Sequence, residues 1–155
     1  MKRLTHSSRE GIKMVDISEK KVTKRLCIAS GEIKLKGGTI DSIQKKRIKK
    51  GDVLLTAQVA GILAAKRVSE LIPLCHQVPL EKVEIDFEVL KNKVVCECRV
   101  LAQYKTGVEM EALAGVSVAL LTVWDMVKAL EKDSAGQYPE TLIDNLKVIR
   151  KEKIL

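Results

Sequence analysis

The spacing of hydrophobic residues changes along the chain, and each change predicts a new element. In residues 83–89, Val, Ile, Phe and Val alternate with Glu, Asp and Glu. A period of two is typical of a strand with one buried face. After a turn at residues 91–93, the run VVCECRVLA alternates again, with Val94, Cys96, Cys98 and Val100 on one face. The two runs together predict a β-hairpin.

Two other segments have helical spacing. Asp52 is a good N-cap for a helix that ends before Pro73, and the long apolar segment from about Glu109 to Lys132 predicts a helix buried on most sides. Gly61 and the alanines of the first helix let its backbone lie close to a sheet or another subunit. The inward positions that we predict are Val53, Ala57, Ala60, Leu63 and Ala64 in the first helix and Leu113, Val116, Leu120, Val123, Val127 and Leu130 in the second.

The remaining segments complete a fold prediction. The run RLCIASGEIKL from Arg25 predicts a strand closed by Gly37-Gly38, residues 44–50 form a basic connection, and residues 141–149 predict a last strand. The order strand, helix, strand, strand, helix, strand is that of the α+β, ferredoxin-like split βαβ fold, an antiparallel sheet with two main helices on one face. We expect one domain over residues 1–155, with residues 1–20 as an N-terminal arm that orders only against a partner surface.

Charge and composition narrow the possible partners and location. The chain of 155 residues has a net charge of +8, which favours anionic partners such as phosphates. Because the N-terminus has no apolar signal segment and 18 apolar residues never run together, we expect a soluble, cytoplasmic protein. The four cysteines contain no CxxC pair, so we expect reduced, mostly buried thiols. His6 and His76 are not spaced for metal ligation, so we expect neither metal nor cofactor.

Three short segments resemble neither core nor generic surface, and the first is Leu74-Cys75-His76. It lies between Pro73 and Pro79, which restrict its backbone. A histidine held there can titrate near neutral pH or donate to phosphate. Alternatively, His76 caps the loop and has only a structural role.

The second segment is KTGVEMEAL, residues 105–113. Thr106-Gly107 interrupts the strand before the helix, so Lys105, Glu109, Met110 and Glu111 cluster at the unpaired N–H groups of a first helical turn. This arrangement suits an anionic or guanine-like ligand. Alternatively, the glutamates only complement the helix dipole.

The third segment contains Asp125 and Lys128, which are three residues apart and therefore project from one face of the long helix. We expect apolar neighbours to exclude water from this pair, which would tune both groups for acid and base catalysis. A structural ion pair is the alternative. Before the first helix, Lys49 and Lys50 suit phosphate oxygens, whereas Lys45 and Lys46 are interpreted as a solvated charge run.

Four segments, taken in order, resemble the cyclic pyranopterin monophosphate synthase family, the C protein of molybdenum cofactor biosynthesis. They are MVDIS at 14–18, KKGDVLLTAQVAGILAAKR at 49–67, ELIPLCH at 70–76 and KTGVEMEALAGVSVALLTVWDMVKA at 105–129. The resemblance implies that Asp125 and Lys128 are catalytic. The substrate contacts that it implies are Leu74, Cys75, His76, Met110, Glu111 and Lys50, and the positions that match with less defined roles are Asp16, Arg25, Lys66 and Arg67.

The resemblance also implies an activity and an assembly. The family converts (8S)-3',8-cyclo-7,8-dihydroguanosine 5'-triphosphate to cyclic pyranopterin monophosphate and releases pyrophosphate, without a redox cofactor. It forms a homohexamer, a trimer of dimers with sites at subunit interfaces, and binds neither nucleic acid nor membrane. The chain departs from the family pattern at Cys75-His76-Gln77, where Cys-His-Pro is usual. It also lacks the glycine-rich C-terminal loop with its lysine, which Lys147 is one candidate to replace.

Two other function classes are compatible with the predicted fold. A basic nucleic-acid module would use clustered aromatic residues for stacking, and Phe87, Tyr104, Trp124 and Tyr138 are not clustered on one strand. A ligand-sensing or assembly domain without catalysis would not need the pair Asp125 and Lys128. The predicted pair therefore favours an enzyme.

Overall fold

The main sheet is a four-stranded antiparallel sheet. The computed structural model describes residues 7–8 and 11–154. The strands are β1 (Ser7–Ser8), β2 (Gly11–Ile12), β3 (Thr23–Lys34), β4 (Lys82–Val89), β5 (Lys93–Tyr104) and β6 (Leu142–Ile154). The main sheet has the order β4-β5-β3-β6, and β1 pairs with β2 separately.

Two main helices pack on one face of this sheet. The helices are α1 (Gly37–Gln44), α2 (Val53–Lys66), α3 (Val68–Leu71) and α4 (Glu109–Glu131). Helix α4 contacts β3, β5 and β6, while α2 contacts α4 and β4. The order β3-α2-β4-β5-α4-β6 confirms the predicted ferredoxin-like α+β fold.

The alternating strands build the core as predicted. Val94, Cys96, Cys98 and Val100 of β5 are fully buried beneath the helices, together with Cys27 of β3. The four cysteines are free, and burial raises the pKa of Cys96 and of Cys98 to about 12. These thiols are therefore neutral core residues, which confirms the prediction of reduced, mostly buried cysteines.

Helix α2 begins where the sequence predicts, and three of its five predicted inward positions, Val53, Ala57 and Ala64, are buried. Asp52 caps the helix, with Oδ1 accepting a hydrogen bond from the Leu55 backbone N at 3.1 Å. The predicted stripe is wrong at Ala60, which is partly exposed, and at Leu63, which is 46% exposed. The inward positions are instead Val53, Ala57, Gly61, Ala64 and Ala65.

Gly61 and Gly115 mark the point where α2 and α4 approach most closely. A Cβ atom on Gly61 would lie 2.7 Å from the Gly115 carbonyl oxygen, and one on Gly115 would lie 2.7 Å from Cys98 Sγ. Because a backbone carbonyl cannot move aside without shifting its helix, only glycine fits at position 61. The two glycines therefore let the backbones of α2 and α4 contact each other directly and leave room against α4 for the Cys98 side chain of β5.

Helix α1 is absent from the sequence prediction, which places a turn at Gly37-Gly38 and a connection after it. The structure begins a helix at these glycines, and Thr39, Ile40 and Ile43 are buried. The two isoleucines are three residues apart and pack against the core. Their burial outweighs the poor helix propensity of glycine.

The outer surface of α4 is also more exposed than predicted. Leu121 is 57% exposed and Leu130 is 47% exposed, so the expectation that this helix is buried on most sides is wrong. Among the described residues, α4 alone has the length and hydropathy of a membrane span. Its inner face packs against the sheet, as in the core helix of a soluble domain.

Replacing Gly61 by Ala should destabilise the fold by about 1–3 kcal/mol, because the added methyl group overlaps the Gly115 carbonyl. Gly38→Ala is the matched control, since a Cβ there meets nothing within 4 Å and alanine favours the helix by up to about 1 kcal/mol. Urea unfolding of both variants measures the difference. Equal unfolding free energies for the Gly61 variant and the wild type would contradict the close approach.

Candidate active site

Two of the three predicted segments meet at one cavity of about 270 Å³, here named the His76 cavity. The loop that follows α3 forms one wall, and the N-terminal turn of α4 forms the other. The lining residues are Leu74, Cys75, His76, Val78, Thr106, Gly107, Glu109, Met110 and Glu111. The structure thus brings together six of the residues that the sequence predicts to contact a ligand: Leu74, Cys75, His76, Glu109, Met110 and Glu111.

Burial changes the ionisation of two groups in the His76 cavity. Glu111 is only 5% exposed, and this burial raises the pKa of its carboxyl group. Burial, followed by the nearby charge of Glu111, raises the pKa of the Cys75 thiol. The cavity therefore combines a neutral thiol with a carboxyl group that takes up a proton more readily than an exposed one.

The N-terminal segment lies against this cavity. The Val15 carbonyl oxygen is 2.7 Å from His76 Nε2, and Lys105 Nζ donates to the Ser18 carbonyl oxygen at 2.6 Å. The expectation that residues 1–20 order only against a partner is therefore wrong for this stretch, since it is held by its own chain. Residues 1–6 and 9–10 lie outside the described residues.

A second cluster lies near the other end of α4 and consists of Lys50, Asp125 and Lys128. Asp125 Oδ1 accepts a hydrogen bond from Lys128 Nζ at 2.7 Å, and Oδ2 accepts one from Lys50 Nζ at 2.7 Å. Lys50 Nζ also donates to the Asp125 carbonyl oxygen at 2.9 Å. One carboxylate is thus held between two ammonium groups. We refer to it below as the Lys-Asp-Lys cluster.

The expected exclusion of water from Asp125 and Lys128 is wrong for the single chain. Their side chains are 56% and 47% exposed, because both lie on the face of α4 that points away from the sheet. The hydrogen bonds from Lys128 and then Lys50 lower the pKa of Asp125 to about 2. Asp125 in turn raises the pKa of Lys128, so both groups are charged at neutral pH.

A basic cavity of about 380 Å³ adjoins the Lys-Asp-Lys cluster. Arg47, Lys49 and Lys50 supply its cationic groups, while Met126 and Leu130 are among its apolar lining residues. Arg47 also forms a surface ion pair with Asp41, as Lys45 does, and Lys46 pairs with Asp52. The pairs of Lys45 and Lys46 agree with their interpretation as solvated charges. The basic loop therefore borders a mainly apolar cavity, to whose lining it contributes Lys49 and Lys50.

The two clusters are too far apart in one chain to act on one small molecule. Glu111 and Asp125 are separated by 14 residues of helix, which corresponds to about 21 Å at the rise of an α-helix.

Lys66 is exposed in the last turn of α2 and lines neither cavity. Arg25 Nε is buried without a hydrogen-bond partner among the described residues. Within the same residues, no three His, Cys, Asp or Glu side chains could hold a metal ion.

The sequence prediction misses Lys151, which forms an ion pair with Glu109 at the His76 cavity. Lys147 of β6 lies opposite Ser30 of β3 in the strand register. Gly31, the next residue of β3, faces α4, so Ser30 and Lys147 lie on the opposite face of the sheet. It cannot reach either cavity of its own chain. Almost every residue of β6 is exposed. Its side chains therefore show no alternation of buried and exposed positions that would indicate the orientation of Lys151.

The carboxyl group of Asp125 should titrate at about pH 2 in the wild type and at a higher pH once a cationic partner is removed. Lys128→Met should raise this pKa more than Lys50→Met, because the hydrogen bond from Lys128 has the larger effect. Carbon-13 NMR of the side-chain carboxyl resonances measures both shifts. An Asp125 pKa that is unchanged in both variants would contradict the observed ion pairs.

Comparison with known proteins identifies the family. The model of the MoaC family matches residues 14–153. The chain is 56% identical over 151 residues to a probable cyclic pyranopterin monophosphate synthase of Pyrococcus abyssi, covering 97% of this chain and 95% of the relative. A protein of the same name from Thermococcus kodakarensis is 55% identical over 153 residues, covering 99% and 98%.

A third relative bears a slightly different name. It is a probable cyclic pyranopterin monophosphate synthase accessory protein of Methanothermobacter thermautotrophicus, 52% identical over 154 residues, with 99% of this chain and 97% of the relative covered. Both the family match and these identities extend over nearly the whole chain. The chain therefore belongs to the MoaC family and is an enzyme of molybdenum cofactor biosynthesis.

Proposed function

We propose that the protein is a phosphorus-oxygen lyase that converts (8S)-3',8-cyclo-7,8-dihydroguanosine 5'-triphosphate to cyclic pyranopterin monophosphate and pyrophosphate. The complete site combines the His76 cavity of one subunit with the Lys-Asp-Lys cluster of another. The observation that carries this proposal is the 14-residue separation along α4 between Glu111 of the His76 cavity and Asp125 of the Lys-Asp-Lys cluster. Each cluster alone contains only part of the chemistry that the reaction needs.

The solvent face of α4 is suited to receive a second copy. Met110 and Leu121 are large exposed apolar residues on this face, and Ala114 and Ser117 between them are small enough for close helix packing. Val118 is seven residues from both Glu111 and Asp125. An antiparallel pair of α4 helices with a two-fold axis near Val118 would therefore set Glu111 level with Asp125 of the partner subunit. Such dimers would assemble into the proposed cytoplasmic homohexamer.

The triphosphate has cationic groups available at the basic cavity. Arg47, Lys49 and Lys50 border this cavity beside Asp125, and the chain as a whole has a net charge of +8. Charge-assisted hydrogen bonds from these groups would hold the phosphate oxygens and stabilise the departing pyrophosphate. Arg25, whose buried Nε has no partner among the described residues, offers a further donor to a ligand or a second subunit.

The acid and base roles follow from the charges of the cluster. The reaction opens a purine-derived ring, closes the pyran and ends with attack of a sugar hydroxyl group on the α-phosphate. In the uncovered chain Lys128 is an ammonium group and Asp125 a carboxylate, so Lys128 can donate a proton and Asp125 can accept one. Covering the cluster with a second subunit would lower the pKa of Lys128 toward neutrality by desolvation. The exclusion of water expected from the sequence would thus arise in the assembly.

The direct test is incubation of the purified protein with the cyclised nucleotide and measurement of released pyrophosphate and pyranopterin. We expect turnover by the wild type and none by Lys128→Ala. Asp125→Asn should slow the reaction by about 100-fold or more if Asp125 is a general acid or base. Circular dichroism of both variants checks that the fold is retained, which the exposure of both side chains favours.

Two outcomes would contradict the proposed roles. An unchanged rate in the folded Lys128 variant would exclude Lys128 from catalysis. No turnover by the wild type would instead favour a supporting role, as the name of the Methanothermobacter thermautotrophicus relative describes for that protein. Salt-sensitive retention of RNA on a column would favour the nucleic-acid alternative.

A mixing experiment tests whether the site is shared between subunits. Lys128→Ala and His76→Ala each inactivate a different half of the proposed site, so each variant alone should be inactive. After random exchange of subunits, half of the dimers carry one intact site, and activity should return to about a quarter of the wild-type value. Lys128→Ala mixed with Asp125→Asn is the matched control, because both changes affect the same half. Mixtures that stay equally inactive would contradict a shared site.

A further inference from the structure

We propose that Asp16 is a positioning residue for His76. Its carboxylate fixes a turn whose Val15 carbonyl oxygen accepts the Nε2 proton of His76, and this leaves Nδ1 as the acceptor nitrogen of the ring. The effect of Asp16 on catalysis rests on the proposed function, but the tautomer of the His76 ring can be measured without any substrate. It gives Asp16, whose role the resemblance leaves less defined, a contact within the protein.

The protonation of the ring follows from the partner of Nε2. A carbonyl oxygen can only accept a hydrogen bond, so at 2.7 Å from Val15 O the Nε2 atom must carry the proton. In the neutral ring Nδ1 is then unprotonated. The ring belongs to the lining of the His76 cavity. Because Nε2 is engaged with Val15, the ring can accept a proton or a hydrogen bond only through Nδ1.

The position of the Val15 carbonyl depends on the turn that follows it. Asp16 Oδ1 accepts a hydrogen bond from the Ser18 backbone N at 2.8 Å, the geometry by which aspartate stabilises a local turn. The Lys20 backbone N then donates to the Ile17 carbonyl oxygen at 3.1 Å. The carboxylate of Asp16 thus determines how the chain bends between Val15 and Ser18.

The turn is held at both of its ends by residues around the cavity. Val15 contacts His76, and Ser18 accepts from Lys105 Nζ at 2.6 Å. The Asp16 turn sets the distance between the carbonyl groups of Val15 and Ser18. Without this turn, the segment could keep its contact with His76 and lose its contact with Lys105, or the reverse. Asp16 is exposed, and its pKa is lowered first by the Ser18 backbone N–H, ahead of the charges of Lys105 and His76. The carboxylate is therefore committed chiefly to the turn.

The test compares Asp16→Asn with Asp16→Ala. Asparagine keeps the side-chain oxygen that accepts from Ser18 but removes the charge, whereas alanine removes both. We expect kcat to fall by about tenfold in the alanine variant, with KM changed by less than about twofold, and both constants to stay within about twofold of wild type in the asparagine variant. Glu19→Ala removes a carboxylate from the adjoining turn of residues 17–20 but leaves the hydrogen bond between Asp16 and Ser18 in place, so it should leave the rate unchanged.

Nitrogen-15 NMR of histidine-labelled protein supplies the readout that does not depend on turnover. The chain has two histidines, so a His76→Gln variant assigns the signals. Wild type, Asp16→Asn and Glu19→Ala should show one protonated Nε2 and one unprotonated Nδ1 for His76, while Asp16→Ala should show a mixture of tautomers. A wild-type ring signal in the alanine variant would overturn the positioning role. A loss of rate in the asparagine variant equal to that of the alanine variant would show that the charge of Asp16 matters instead.

If neither the wild type nor any variant turns over the cyclised nucleotide, the proposed function fails. The nitrogen-15 signals of the His76 ring then still decide whether Asp16 positions His76. If the wild type is active and the ring signal is indifferent to Asp16, the inference fails and the proposed function stands. The two results are therefore separable.

Discussion

The close approach of α2 and α4 at Gly61 and Gly115 determines where the candidate site residues lie. The Gly115 Cα is close enough to Cys98 Sγ, and its carbonyl oxygen close enough to Gly61, that α4 can present only this face to the sheet. Once that rotation is set, the geometry of the helix assigns Asp125 and Lys128 to the opposite face. Their exposure is therefore a consequence of how the core packs.

This placement decides what the charged groups can do. In water an ion pair keeps both partners ionised and contributes little to stability. The Lys-Asp-Lys cluster carries two positive charges against one negative charge, and Arg47 and Lys49 border the cavity beside it. An anionic ligand is attracted to such a site even before it is enclosed. Tuning the same groups for proton transfer needs a second surface that removes water from them.

The two clusters lie near opposite ends of α4, and the proposed shared site rests on this separation. The first turn of the helix contributes Met110 and the buried Glu111 to the His76 cavity, and its later turns contribute Asp125 and Lys128. A helix is rigid over this length, so no side-chain rotation can bring the two ends together. In the proposed dimer, a second α4 that runs in the opposite direction places both sets of groups around one ligand.

Much of the fold could be predicted because its period is clear. The alternation around Val94 and Cys96 identifies β5, and Asp52 identifies the start of α2. Helix α1 was missed because Gly37-Gly38 is a strong turn signal that only the burial of Ile40 and Ile43 overrides. The inward face of α4 was partly misjudged because Leu121 and Leu130 make the outer face apolar as well. Hydrophobic spacing correctly placed Val116, Leu120, Val123 and Val127 on the inward face of α4, but it could not show where that face ends, and Leu130 is exposed.

The site was predictable to the extent that it consists of side chains in compact segments. Leu74-Cys75-His76 and the segment of residues 105–111 meet at one cavity, whereas the contribution of residues 15–18 is made by backbone carbonyl groups that every residue type carries. Their only mark in the sequence is Asp16 two residues before Ser18, a spacing that favours a local turn. Because the Val15 carbonyl determines which nitrogen of His76 carries a proton, a backbone atom of the N-terminal segment sets the chemistry of a side chain 61 residues away. The segment therefore supports His76, which lines the cavity.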